Sequence, residues 1–67
     1  MNRLRIRARR LATVMIALDG KATLASRRGE ILVAHELLEA RDQIRRQRSA
    51  VLRQMWQQQL AERVVPR

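Results

Sequence analysis

A single histidine, His35, is the residue best suited to acid–base or metal chemistry in this chain of 67 residues. Glu36 follows it directly, and Glu39 lies one helical turn further on, on the same side of a helix. Imidazole and carboxylate together can bind a metal ion or move a proton. One histidine and one carboxylate do not complete a zinc site, however, and the sequence contains no cysteine. We therefore expect a solvent-facing histidine and no metal site.

The hydroxyl and glycine residues predict no chemistry either. Ser26 and Ser49 have no histidine at a spacing typical of an activated nucleophile. Gly20 and Gly29, the two glycines, do not form the glycine-rich loop that binds phosphate groups. The sequence predicts a protein that is not an enzyme, with no cofactor and no small-molecule substrate.

The positive charge is the strongest indication of function. Arginine supplies fourteen of the fifteen basic residues, and the net charge is +9. Guanidinium groups bind phosphate and carboxylate with two parallel hydrogen bonds. A nucleic-acid contact would use the clusters at both ends of the chain, namely Arg3, Arg5, Arg7, Arg9, Arg10, Arg45, Arg46 and Arg48. Trp56 is the one aromatic residue, so a stacking surface for single strands is not expected.

The short length predicts association. A chain of this size buries little apolar surface on folding, and it has no disulfide or structural zinc to compensate. Its 46% hydrophobic content is too high for a disordered basic tail. We therefore expect one folded unit, residues 1–67, that is stabilised by self-association.

Spacing of the apolar residues predicts two helices. A stripe at alternating intervals of four and three residues consists of Leu4, Ala8, Leu11, Met15 and Leu18. Asp19 and Gly20 then resemble a helix stop. A second stripe consists of Val33, Leu37, Ala40, Ile44, Val51 and Met55. The prediction is an all-α helical hairpin with a short first helix over about 2–18, a turn region at 19–29 and a long second helix over about 30–63.

An alternative for the N-terminus is a β-strand, because charged and apolar residues alternate with a period of two over residues 3–9. An arginine-faced strand before two helices is the plan of ribbon-helix-helix DNA-binding proteins. Only this stretch fits that plan, and the helical stripe also includes residues 4 and 8. Helix is the preferred interpretation.

Residues 11–18 are apolar around nearly the whole helix, which indicates burial from more than one side. Two hairpins packed as a four-helix arrangement would provide this burial. The residues predicted to mediate this homodimer are Leu11, Val14, Met15, Leu18, Leu37 and Ile44.

A turn near residues 20–25 would leave half of the second helix without an intramolecular partner. Residues there predict a docking face for a larger protein, because tryptophan, methionine and arginine are enriched in interface cores. They are Val51, Leu52, Arg53, Met55, Trp56, Gln59 and Leu60. The same turn would place Arg3 to Arg10 beside Glu36, Glu39 and Asp42 and neutralise part of their charge.

These expectations favour a small non-enzymatic regulator or adaptor, of the kind common among phage and plasmid accessory proteins, that binds another protein and modulates its activity or assembly. The alternative is a basic nucleic-acid-binding protein, either ribbon-helix-helix-like or non-specific. The apolar run at 11–18 is too short to span a bilayer. Although an arginine-rich start precedes it, as in a targeting segment, we expect a cytoplasmic protein because Asp19 to Lys21 interrupt the run early.

Overall fold

Two helices in an antiparallel hairpin form the fold in the computed structural model, which describes residues 3–63. Helix α1 spans Arg3–Arg27 and helix α2 spans Ile31–Arg63. The prediction of an all-helical hairpin is confirmed. The strand alternative for residues 3–9 is wrong, because these residues belong to α1 and the described part of the chain contains no strand.

Helix α1 has 25 residues and continues through Gly20, so the predicted short first helix and the turn at 19–29 are wrong. A glycine inside a helix costs only about 0.5–1 kcal/mol relative to alanine. That cost is offset because the apolar stripe continues beyond Gly20 to Ala22 and Ala25, which are both buried. Packing of this longer stripe therefore carries the helix past the expected stop.

The chain turns at Gly29 instead, in a Schellman motif. The Glu30 amide donates to the Ala25 carbonyl at 2.9 Å, and the Gly29 amide donates to the Ser26 carbonyl at 3.0 Å. Gly29 has a φ of +79°, in the left-handed region that favours glycine. The Glu30 carbonyl then accepts the first hydrogen bond of the second helix, from Ala34. Three residues thus reverse the chain.

The interior of the hairpin is a seam with an alternating spacing of three and four residues on each helix. Its α1 members are Leu4, Ala8, Leu11, Met15, Leu18, Ala22 and Ala25, and its α2 members are Ala34, Leu37, Arg41, Ile44, Arg48, Val51 and Met55. Only Ala8, Ala22, Ala25, Ala34 and Val51 are buried among the described residues. The core is therefore thin, and the larger aliphatic side chains of the seam are half-exposed.

Two seam positions on α2 are arginines, and each bonds to α1. The Arg41 guanidinium donates to an Asp19 carboxylate oxygen at 2.6 Å and to Asp42 at 3.3 Å. Arg48 donates from Nε to the Ala8 carbonyl at 3.3 Å. The hydrogen bonds with Asp19 and Asp42, in that order, raise the pKa of Arg41 above its ordinary value. Both contacts fix the register of the hairpin.

None of the helices in residues 3–63 combines the length and apolarity that crossing a bilayer requires.

Candidate nucleic-acid interface

The observed register brings the two arginine clusters to the same end of the molecule. Because the chain reverses at Gly29 and Arg48 contacts Ala8, residues 3–10 lie alongside about residues 48–56. The sequence analysis had placed Arg3 to Arg10 beside Glu36, Glu39 and Asp42. That prediction is wrong, since it depended on a turn at residues 20–25.

We define the open half of the hairpin as residues 3–18 and 43–61, and the turn half as residues 19–42. The open half contains nine arginines and no acidic residue. The turn half contains five of the six acidic residues of the chain and four basic ones. The charge of +9 is therefore concentrated at one end of a rod that is 61 Å long.

Within the open half, the arginines point around both helices. Arg3, Arg5, Arg7, Arg9 and Arg10 are exposed on α1, and Arg45, Arg46 and Arg53 are exposed on α2. Arg48 is half-buried because it lies in the seam. All eight residues of the predicted nucleic-acid set thus belong to one half of the hairpin, and seven of them are exposed.

One side of α2, which we name the tryptophan face, borders the seam and consists of Leu38, Asp42, Arg45, Ser49, Leu52, Trp56 and Gln59. Each of these residues follows a seam position by one residue, apart from its first member. On α1 the same side of the hairpin includes Arg5, Ala12 and Asp19. A groove lined by Asp19, Thr23, Ser26, Leu38 and Arg41 runs along this side in the turn half.

The predicted partner-binding residues divide between the seam and the surface. Val51 is 4% exposed and Met55 is half-buried, so both pack inside the hairpin. Leu52, Trp56 and Leu60 are exposed at intervals of four residues, with Trp56 57% exposed, and Arg53 and Gln59 are exposed beside them. The expected unpartnered half of α2 is wrong, because α1 covers this helix from Ala34 to about Met55.

The predicted self-association residues also belong mostly to the seam. Leu11, Met15, Leu18, Leu37 and Ile44 are half-buried between α1 and α2. Val14 is 42% exposed, outside the seam. Five of the six residues therefore stabilise the hairpin itself, and association through them stays a prediction.

His35 lies on the surface of the turn half, where its Nε2 is 3.0 Å from a Glu39 carboxylate oxygen. Both side chains are more than two-thirds exposed. Within residues 3–63, no three histidine, cysteine or acidic side chains are grouped closely enough to hold a metal ion.

Comparison with known proteins gives no match to a family model, a curated protein or a solved structure.

The open half therefore combines exposed guanidinium groups from both helices with an exposed indole. Sequence reasoning identified these residues but separated them into two sites, one for nucleic acid and one for protein. The seam spacing of Ala22 and Ala25 beyond Gly20 was the signal that could have joined them. It places the turn at Gly29 and hence Arg5 and Arg45 on the same side of one half.

Proposed function

We propose that this protein binds double-stranded nucleic acid through the open half of its hairpin. The observation that supports the proposal is the convergence of nine arginines, without an acidic residue, from two helices that lie side by side. Such a surface attracts a phosphate backbone because binding releases condensed counterions. The regulator favoured by the sequence analysis becomes the second candidate.

Contacts to phosphate groups explain the preference for arginine over lysine in this half. A guanidinium group donates two parallel hydrogen bonds to one phosphate, whereas an ammonium group acts as a point charge. Arg5 and Arg9 on α1, with Arg45 on α2, border the tryptophan face. We expect binding that is independent of base sequence, because phosphate contacts carry no base information directly.

The test is fluorescence anisotropy with a labelled random-sequence DNA duplex at several salt concentrations. The logarithm of the binding constant should fall with the logarithm of salt concentration, with a slope of about −0.9 for each phosphate contacted. Replacing Arg45 and Arg46 by glutamine should weaken binding and make that slope shallower by about 1 to 2.

A matched control removes the same charge from the turn half, through Arg27→Gln and Arg28→Gln. Both residues are exposed, and both lie at the opposite end of the rod from Arg45. We expect this double variant to bind nearly as tightly as the natural protein. Equal weakening by the two double variants would contradict a localised site, and absence of binding at low salt would refute the proposal.

The second candidate function is a small non-enzymatic regulator or adaptor that binds another protein. It is favoured by the exposed row of Leu52, Trp56 and Leu60, since exposed tryptophan is typical of interface cores. Capture of a protein from a nuclease-treated lysate, lost on Trp56→Ala and retained by Arg45→Gln with Arg46→Gln, would support this candidate over nucleic acid. Capture that is unchanged by Trp56→Ala would contradict it.

We also propose that the hairpin is a homodimer. The folded chain exposes 5943 Å². A compact monomer of 7.9 kDa is expected to expose about 4,400 Å². The difference, roughly 1,500 Å², exceeds the area of about 800 Å² that each partner buries in a standard interface.

A further inference from the structure

A second side of α2 also borders the seam, opposite the tryptophan face. We name it the alanine-glutamine face, and its members are Ala40, Gln43, Gln47, Ala50, Gln54, Gln57 and Ala61. Each member precedes a residue position of the seam stripe or of its continuation by one. Ala40 is half-buried, and the other six are exposed. This face spans 21 residues, or about 32 Å of helix, without a charged side chain.

The uncharged surface continues from α2 onto α1. Val14, Ala17 and Leu24 are exposed on the same side of the hairpin, and Leu24 shares a groove with Val33 and Leu37. Val14, Leu24 and Val33 are between 42% and 51% exposed. At the open end, Leu4 lines a groove with Gln54, Gln57 and Ala61. In a chain in which 31% of the residues are charged, this extended surface requires an explanation.

We propose that the alanine-glutamine face binds the same face of a second copy, with the two hairpins antiparallel. This proposal rests on the homodimer proposed above and specifies its surface and orientation. Alanine side chains let two helices approach closely, and glutamine amides can donate and accept hydrogen bonds across the contact. The excess of exposed area is sufficient for an interface of this kind.

Charge selects the antiparallel orientation. A parallel pair would place two open halves side by side, each with nine arginines and no acidic residue. An antiparallel pair places the open half of each copy against the turn half of the other, which holds five of the six acidic residues. Opposite potentials that meet across an interface stabilise it and exclude the like-charged arrangement. The tryptophan face of each copy stays exposed in this dimer.

Sedimentation equilibrium of two neighbouring substitutions tests the surface. Ala50→Glu puts a charge on the alanine-glutamine face, whereas Ser49→Glu puts the same charge on the tryptophan face, and both residues are exposed. Burial of an unpaired charge is costly, so Ala50→Glu should weaken the dimer by at least about tenfold. Ser49→Glu should leave the dissociation constant unchanged. Circular dichroism confirms that both variants remain helical.

The outcomes separate the two proposals. A natural protein that is monomeric at micromolar concentration would refute the homodimer itself. A dimer that tolerates Ala50→Glu but dissociates with Ser49→Glu would retain the homodimer and refute this surface. Equal effects of the two substitutions would also overturn the assignment.

Disulfide cross-linking tests the orientation, because the sequence has no natural cysteine. A two-fold axis across antiparallel rods brings the middle of α2, near Gln47, against the middle of the partner's α2. Single variants Gln43→Cys, Gln47→Cys and Ala50→Cys should include one that links to itself efficiently. In a parallel pair α2 would face the α1 helix of the other copy, and none of the three would link to itself. That result in a dimeric protein would overturn the antiparallel orientation, and Ser49→Cys is the matched control.

Discussion

The same substitution, glycine to alanine, is expected to have opposite effects at the two glycines of this chain. At Gly20, which is helical, alanine should stabilise the hairpin by about 0.5–1 kcal/mol because it restricts the unfolded chain and favours helix. At Gly29, where φ is +79°, alanine should destabilise it by about 1–2 kcal/mol. A Cβ at either position meets no atom within 4 Å. Backbone conformation therefore decides both signs.

The expected difference between Gly20→Ala and Gly29→Ala is about 1.5–3 kcal/mol. For a domain of this size, each kcal/mol shifts the melting temperature by about 4–8 °C. The two variants should thus melt about 6–24 °C apart, with the natural protein between them. Thermal unfolding followed by circular dichroism measures this order. All samples need one protein concentration, because association makes the midpoint depend on concentration.

The reverse order would refute the observed turn. If Gly20→Ala were the destabilised variant, the chain would reverse at Asp19 and Gly20, as the sequence predicted. Arg3 to Arg10 would then lie beside Glu36 and Glu39, and the basic open half would not exist. The experiment therefore checks the register on which both the proposed nucleic-acid site and the dimer face depend.

Three further substitutions test particular contacts. Arg48→Leu should raise the unfolding free energy by on the order of 1 kcal/mol in chemical denaturation, because leucine fills a half-buried seam position now occupied by a charged group; a loss of stability would show that the bond to the Ala8 carbonyl matters more. Asp19→Asn should lower the melting temperature in dilute buffer by more than in 1 M salt, since the pair with Arg41 is partly exposed and screened. The raised pKa of Arg41 means that its contribution is present below the ordinary arginine pKa and is lost only above the raised value, so stability should show no loss from this group between about pH 6 and 10. His35→Ala should leave the melting temperature within about 2 °C of the natural protein, because the pair with Glu39 is exposed, and a larger drop would contradict a surface role.

Prediction from sequence succeeded where apolar residues repeat and failed where other residues occupy the repeat. The α1 stripe from Leu4 to Leu18 lies in the seam as its spacing indicates. On α2, Leu37, Ile44 and Val51 are also in the seam, but Val33 and Ala40 are not. The true positions are Ala34, Arg41 and Arg48. Arginine conceals a seam position because its aliphatic stem can pack while its charged head reaches a carboxylate or carbonyl.

The site was harder to predict than the helices for the same reason. Its composition could be read residue by residue, but its location depended on which glycine reverses the chain. Glycine at position 20 and glycine at position 29 are alike in the sequence. The difference is that the buried alanines at 22 and 25 require α1 to continue past the first of them. A nine-residue change in the position of the turn moves Arg3 to Arg10 away from the acidic residues.

The uneven charge along the rod has a consequence for how the hairpin opens. Mutual repulsion among nine arginines, over a core made largely of alanine, makes the open half the end where the helices separate most readily. Amide hydrogens of residues 3–18 should exchange faster than those near the turn. Phosphate groups would supply the missing counter-charge and hold the two helices together. Binding of a nucleic acid and closure of the hairpin would then be one coupled equilibrium, in which the ligand completes the fold.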